Sequence, residues 1–215
     1  MRGKLMTIEG VEGAGKSTAL QGIQDFLLLH HIPFVMTREP GGTALAEVIR
    51  QWLLRPELDE FIYPETELLL MFAARAQHIR LCIEPALQSG QWVVSDRYID
   101  ASFAYQGGGR NVNPDLLQAL DHHVTGTLYP DLTLLLDVPV KVGAARAAKR
   151  GAPKDRIEQE EQDFFEAVRK AYLDRAEQDK ARIKVIDASS DERVVQAQIH
   201  EVLEHFLQVS REGAS

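Results

Sequence analysis

The nonapeptide Gly10-Val11-Glu12-Gly13-Ala14-Gly15-Lys16-Ser17-Thr18 constrains this chain more than any other segment. Its first eight residues fit G-x-x-x-x-G-K-[ST], and it lies between a predicted strand, Leu5–Glu9, and a predicted helix, Lys16–His30. Glycine lets the backbone turn so that several N–H groups converge on one anion. The helix that follows adds its positive end. Lys16 then reaches the β- and γ-phosphates of a nucleoside triphosphate, and the Ser17 hydroxyl ligates Mg²⁺. The whole stretch from Gly10 to Thr18 reads as an ATP phosphate cradle.

The rest of the chain repeats this strand-then-helix rhythm. Strands are expected at Leu5–Glu9, Phe34–Arg38, Trp92–Asp96, Leu132–Val138 and Lys184–Asp187. Helices are expected at Lys16–His30, Ala44–Leu54 with Thr43 as cap, Glu65–Gln88, from Asn113-Pro114, Phe164–Glu177 and Glu192–Gln208. Strands apolar throughout and alternating with helices imply a five-stranded parallel α/β sheet covered on both faces. Ligands then gather at the carboxyl ends of the strands, where the motifs fall.

A length of 215 residues suits one domain, spanning 1–215, with its own core. The net charge of −8 argues against a nucleic-acid or anionic-membrane partner. The single cysteine, Cys82, permits no intrachain disulfide and fits a reducing compartment; within the apolar run IRLCIEPAL it reads as a buried inert thiol. The first ten residues lack the apolar stretch of a signal peptide, and no window is apolar enough to span a membrane, so the cytoplasm is the expected location.

Further motifs cluster around this frame. Val93-Val94-Ser95-Asp96-Arg97-Tyr98 ends a strand on a carboxylate suited to Mg²⁺ or its water, and the planar fork of Arg97 suits a pair of phosphate oxygens. Thr37-Arg38-Glu39-Pro40-Gly41-Gly42-Thr43 makes a tight loop that places Arg38, Glu39 and Pro40 beside a second substrate, although turn chemistry alone also accounts for it. Phe72 and Arg75 share a helical face, as a ring to stack on a base with a guanidinium to meet its carbonyl, or as a core aromatic beside a snorkelling arginine. Ser102, Tyr105 and Gln106 follow closely enough to line the same cleft, and Gly107–Gly109 reads as loop flexibility. Between Lys141 and Arg156 six cations face Asp155 alone, which suggests a lid at about 141–160 that closes over phosphates; a solvated basic face is the alternative.

Together GVEGAGKST, TREPGGT, the Phe72–Arg75 pair, SDRY and RGAPKDRIEQE resemble the thymidylate (dTMP) kinase family. The resemblance implies a P-loop nucleoside-monophosphate kinase fold and transfer of the γ-phosphoryl group of ATP to dTMP with Mg²⁺, in a homodimer. It implies that Phe72 stacks on thymine, Arg75 and Ser102 face the base edge, and Tyr105 sits against the sugar. Arg38 and Arg97 then hold the dTMP phosphate, Glu12 lies near sugar and phosphates, and Arg146 lies on the adenine side. Ser17 and Asp96 are the expected Mg²⁺ positions. Some members carry a catalytic arginine in the P-loop after an acidic residue, where this chain has Gly13. The resemblance therefore assigns catalysis to Lys16, Arg97, Glu12 and a lid arginine, first Arg150, with Arg146 and Arg156 as alternatives. A kinase for a different deoxynucleotide is the enzymatic rival. A GTPase-like switch lacks its N-K-x-D tetrapeptide here, and intact Lys16 and Ser17 disfavour a dead nucleotide-binding regulator.

Overall fold

The computed structural model describes residues 2–56, 60–149, 151, 153 and 155–212. Five strands, β1 Leu5–Glu9, β2 Phe34–Arg38, β3 Trp92–Asp96, β4 Leu132–Asp137 and β5 Ile183–Asp187, form one parallel sheet in the order β2-β3-β1-β4-β5. β1 is central, and the chain leaves it first towards β3 and β2, then towards β4 and β5. Such a reversal of strand order opens a crevice at the carboxyl ends.

The helices that follow are α1 Lys16–Leu29, α2 Ala44–Leu54, α3 Pro64–His78, α4 Glu84–Gln88, α5 Ile99–Ser102, α6 Pro114–Val124, α7 Val140–Lys149, α8 Gln162–Gln178 and α9 Glu192–Glu212. Thr43 caps α2, its side chain accepting from the Ala46 N–H at 3.3 Å, and Asn113 caps α6 ahead of Pro114. Alternate side chains of β1 leave opposite faces. Met6 and Ile8 join a core with α1, α8 and α9, whereas Leu5 joins Leu68, Phe72, Ile83 and Leu117 on the other face. Among the described residues no helix is long and apolar enough to cross a membrane.

Two expectations need correction. The continuous helix expected over Glu65–Gln88 contains a π turn at Ile79–Ile83 between α3 and α4. Pro85 lacks an N–H and its ring crowds the carbonyl four residues earlier, so a wider turn before it relieves the helix. Gly107–Gly109 is not a flexible loop but the end of a π-helical segment, Phe103–Gly109. A Cβ at Gly108 would lie 2.6 Å from Ala171 Cβ, and one at Gly109 2.5 Å from the Phe164 ring. The glycines let this segment press against α8, and that contact holds Tyr105 and Gln106 in place.

Gly108→Ala is therefore expected to lower stability by about 1–3 kcal/mol through overpacking against Ala171. Urea unfolding of the variant would read this as a lower midpoint, and an unchanged midpoint would contradict the close packing.

Candidate active site

β1 delivers the chain into the Gly10–Thr18 loop, and Gly15 turns it into α1 with φ 92°. Lys16 folds back over the loop, its Nζ donating to the carbonyls of Gly10 at 3.2 Å and Val11 at 3.3 Å, with Glu12 Oε1 4.0 Å away. Burial, and then the neighbouring charge of Arg97, lowers the Lys16 pKa. An anion beside this ammonium relieves both penalties.

Arg97 leaves β3 with φ 69°, a left-handed conformation rare for a residue with a side chain. Two hydrogen bonds hold it there: its N–H donates to Ile8 O at 2.9 Å and its carbonyl accepts from Ser95 Oγ at 2.7 Å. The guanidinium donates to Gly10 O at 3.0 Å, Tyr172 Oη at 3.2 Å and Glu12 Oε1 at 3.1 Å. It also stands 4.8 Å from the centre of the Tyr105 ring. Asp96 ends the same strand, and its Oδ1 is buried with no hydrogen-bond partner among the described residues. That orphaned carboxylate oxygen, with the exposed Ser17 hydroxyl at the P-loop, fits a hard divalent cation.

A cavity runs from Glu12 and Arg97 past Tyr105 and Ser102 to Glu39, Pro40 and Arg75, and Gln106 also lines it. Arg75 is buried. Its Nε donates to Glu39 Oε2 at 2.8 Å, and its Nη2 donates to Ser102 Oγ and Tyr98 O, both at 3.0 Å. Its Nη1 is buried without a partner among the described residues. Phe72 supports the guanidinium, with Arg75 Cζ 4.7 Å from its ring centre, and is itself almost wholly buried. Gln106 Nε2 donates to Glu67 Oε1 at 2.8 Å.

Not every expected residue reaches this cavity. Arg38 points outward, half exposed, and pairs with Glu47 at 2.8 Å. Arg50 lines the cavity instead, with its Nη1 on Pro40 O at 3.0 Å. Arg146 turns away from this cavity, donating to Ala188 O at 2.7 Å and Ser189 O at 3.4 Å. It lines a separate cleft with Gly15, Thr18 and Ser190. Arg150 lies outside the described residues. Arg156 is engaged elsewhere, donating to Leu53 O at 2.8 Å and Glu67 Oε2 at 2.5 Å, so it ties this segment to α2 and α3. Asp155, Ile157 and Glu158 nevertheless reach the cavity wall. Cys82 is half-buried rather than buried, and hydrogen bonding to His78 lowers its pKa.

Three functional neighbours escaped the sequence reading. Glu9 is fully buried at the end of β1, accepting from Tyr98 N–H at 2.8 Å and Tyr172 O–H at 2.7 Å. Arg50 stands on the α2 face that buries Ala46 and Leu53, a cation inside an apolar stripe and so a legible signal. Glu67, on α3, gathers Gln106, Arg110 and Arg156. Burial pushes its carboxyl up, but those partners outweigh burial and hold it below the ordinary range.

Burial, reinforced by Asp100, pushes the Glu9 carboxyl from 4.5 up to about 8 despite Arg97. The folded chain thus keeps a proton that the unfolded chain has released, so this group's contribution to stability is present below its unfolded value and lost as pH rises through about 8. Replacing Glu9 by Gln removes that loss. Denaturation at about pH 5 and about pH 8 should show the stability of Glu9→Gln, relative to wild type, improving by about 3–4 kcal/mol at the higher pH. A difference that does not vary with pH would exclude the raised carboxyl.

The chain matches the thymidylate kinase family over residues 8–199. It is 51% identical over 211 residues to a thymidylate kinase of Ectopseudomonas mendocina (strain ymp), covering 98% of this chain and 100% of that protein. It is 49% identical over 203 residues to that of Marinomonas sp. (strain MWYL1), covering 94% and 95%. The crystal structure of thymidylate kinase from Ehrlichia chaffeensis superposes with a TM-score of 0.75 at 28% identity, covering 95% of this chain and 99% of that one. A phosphate cradle, a second cavity joined to it by Arg97, and these likenesses over nearly the full length agree: the chain belongs to the thymidylate kinase family.

Proposed function

We infer that this chain is a nucleoside-monophosphate kinase that transfers the γ-phosphoryl group of ATP to dTMP, giving ADP and dTDP for dTTP synthesis. The observation that carries this reading is the junction at Arg97, which bonds the P-loop carbonyl of Gly10 and the carboxylate of Glu12 while lining the cavity that ends at Arg75. Donor cradle and acceptor cavity meet at one guanidinium.

Phosphoryl transfer asks for positioning and charge stabilisation more than for covalent chemistry. The Gly10–Thr18 amides and Lys16 hold the donor phosphates, and Arg97 holds the acceptor phosphate in line with them. Glu12 orients Arg97 and stands towards the sugar. Tyr105 lies under the sugar, Phe72 packs on the base, and Arg75, Ser102 and Gln106 address its edge, with Glu39 and Pro40 closing the wall. Arg38 pairs with Glu47 at the rim, where it can swing to the acceptor phosphate. Ser17 and Asp96 would hold Mg²⁺, which supplies charge neutralisation between the donor phosphates. The acceptor phosphate is already an anion, so no general base is assigned.

The single domain closes with its lid at about 141–160, and Arg150 supplies the remaining catalytic charge. The packing of the P-loop supports a lid origin. A Cβ at Gly13 would lie 2.0 Å from Gly143 O in α7, so a side chain at Gly13 has no room in this arrangement. On α2 and α3, Leu45, Val48, Trp52 and Leu69 are about half exposed, an apolar face suited to a homodimer. A single cysteine supports the cytoplasm as compartment, and the net charge of −8 disfavours nucleic acid and anionic membranes as partners.

An ADP-release assay over a panel of nucleoside monophosphates should show preferential turnover of dTMP; preference for AMP or CMP would sink the assignment. In the same assay Lys16→Ala and Arg150→Ala should each lose on the order of 10²-fold in kcat, the latter with little change in ATP affinity. Near-normal kcat for Arg150→Ala would remove it from that role. Gly143→Ala places a Cβ 2.5 Å from Glu12 O and should lower kcat about tenfold by displacing the P-loop, measured alongside an unfolding curve.

A further inference from the structure

The proposed base-reading arginine is held by a residue that no part of the phosphoryl-transfer scheme uses. His78 lies one turn after Arg75 on α3, on the same face, and is wholly buried. Both side chains reach one carboxylate, that of Glu39 in the loop after β2. His78 Nδ1 is 2.9 Å from Glu39 Oε1, and Arg75 Nε is 2.8 Å from Glu39 Oε2. The second ring nitrogen, Nε2, is 2.7 Å from Thr37 Oγ1. The ring also abuts Gly42, where a Cβ would lie 2.5 Å from both Cδ2 and Nε2. The second glycine of TREPGGT is therefore room for this imidazole, and its φ of 82° adds a further demand for glycine.

We propose that His78 is a positioning residue for base recognition: it holds Glu39, and through Glu39 it fixes the guanidinium of Arg75 at the acceptor cavity. This rests on the reading of that cavity as the dTMP site. With one carboxylate oxygen bound by His78 and the other by Arg75, Glu39 cannot rotate without breaking a buried charged contact. Arg75 then spends Nε on Glu39 and Nη2 on Tyr98 O and Ser102 Oγ, and Nη1 is the end left over. An N–H donor held at one angle accepts a ring carbonyl and rejects an amino group in its place. That is the difference between thymine and cytosine at the 4-position.

The charge state of the imidazole agrees with this role. Burial opposes its protonation, but hydrogen bonds to Cys82 and Glu39, with the charge of Glu39, raise its pKa to about 9. Near neutral pH both ring nitrogens are donors, so Nδ1–H faces Glu39 and Nε2–H faces Thr37. Glu39, Arg75 and Cys82 are the ionisable groups around it, and only Arg75 adds a second positive charge.

Asparagine and glutamine separate this role from simple core filling. The amide of His78→Asn falls near Nδ1 and can still donate to Glu39, whereas that of His78→Gln falls near Nε2 and cannot. Steady-state ADP release with the full chain, using dTMP and dCMP as acceptors, reads the difference. Relative to wild type, His78→Gln should raise the KM for dTMP on the order of tenfold, the size expected for one charged hydrogen bond, with a smaller change in kcat and in the KM for ATP. Its dTMP-over-dCMP ratio of kcat/KM should fall by a similar factor, and His78→Asn should keep both values within about threefold of wild type. Equal behaviour of the two variants, with wild type preferring dTMP, overturns the role of His78 alone. A wild type that does not prefer dTMP overturns the acceptor assignment and the base-reading role with it.

Discussion

Arg97 is the contact on which the site depends, and its backbone is strained to make it. A left-handed φ at a residue with a long side chain costs about 1 kcal/mol or more, so the surroundings must enforce it. They do so through the central sheet: the Arg97 N–H enters the ladder beside β1 at Ile8, and Ser95 fixes its carbonyl. The turn throws the guanidinium across β1 to the P-loop rather than away from the sheet. From there it touches Gly10, Glu12, Tyr105 and Tyr172, which belong to the loop after β1, the π-helical segment and α8. The P-loop and the cavity thus share one rigid reference. In-line transfer needs that more than any single catalytic group, because small misplacements of the reacting atoms are costly.

The chain on either side of residue 150 is referred to the same frame. On the near side Gly143 of α7 lies against the P-loop so closely that neither Gly13 nor Gly143 has room for a Cβ. On the far side Arg156 grips Leu53 O and Glu67, and Arg110 joins Glu67 to Glu160. The P-loop cannot carry an arginine at Gly13 and keep α7 where it is.

What was legible in the sequence was local. The P-loop, the five strands and the caps at Thr43 and Asn113 depend on spacing and residue type within a few positions, and they stand where the pattern put them. Glu9 and Glu67 were not legible, because their meaning comes from partners far along the chain. Tyr172 meets Glu9 across 163 positions, and Arg156 meets Glu67 across 89. No periodicity encodes such a meeting. Gly107–Gly109 misled for a related reason: a run of glycines signals backbone freedom locally, whereas here it signals the approach of α8. The outward turn of Arg38 was not legible either, because its partner Glu47 lies on α2, nine positions along the chain. Arg50 was legible in principle, since a cation on the buried stripe of an amphipathic helix needs a reason to be there.

The buried charges around Glu39 show what such groups are for. Glu39, Arg75 and His78 are almost fully removed from solvent, and taking ions out of water generally costs as much as their pairing returns. Apolar residues of similar volume would serve the core equally well. They would not hold a donor at a set angle at the end of a cavity. Each polar end of the group is matched except Arg75 Nη1, among the described residues. A single unsatisfied donor inside an otherwise satisfied network is unfavourable without a ligand and favourable with one, so its cost in the free protein becomes selectivity on binding. Under the proposed reading of the cavity, an acceptor that brings a carbonyl oxygen would complete the network, whereas one that brings an amino group would leave two donors facing each other. The fold thus keeps an unsatisfied donor at one end of the cavity and a strained backbone at Arg97 at the other, and each is held by the buried contacts around it.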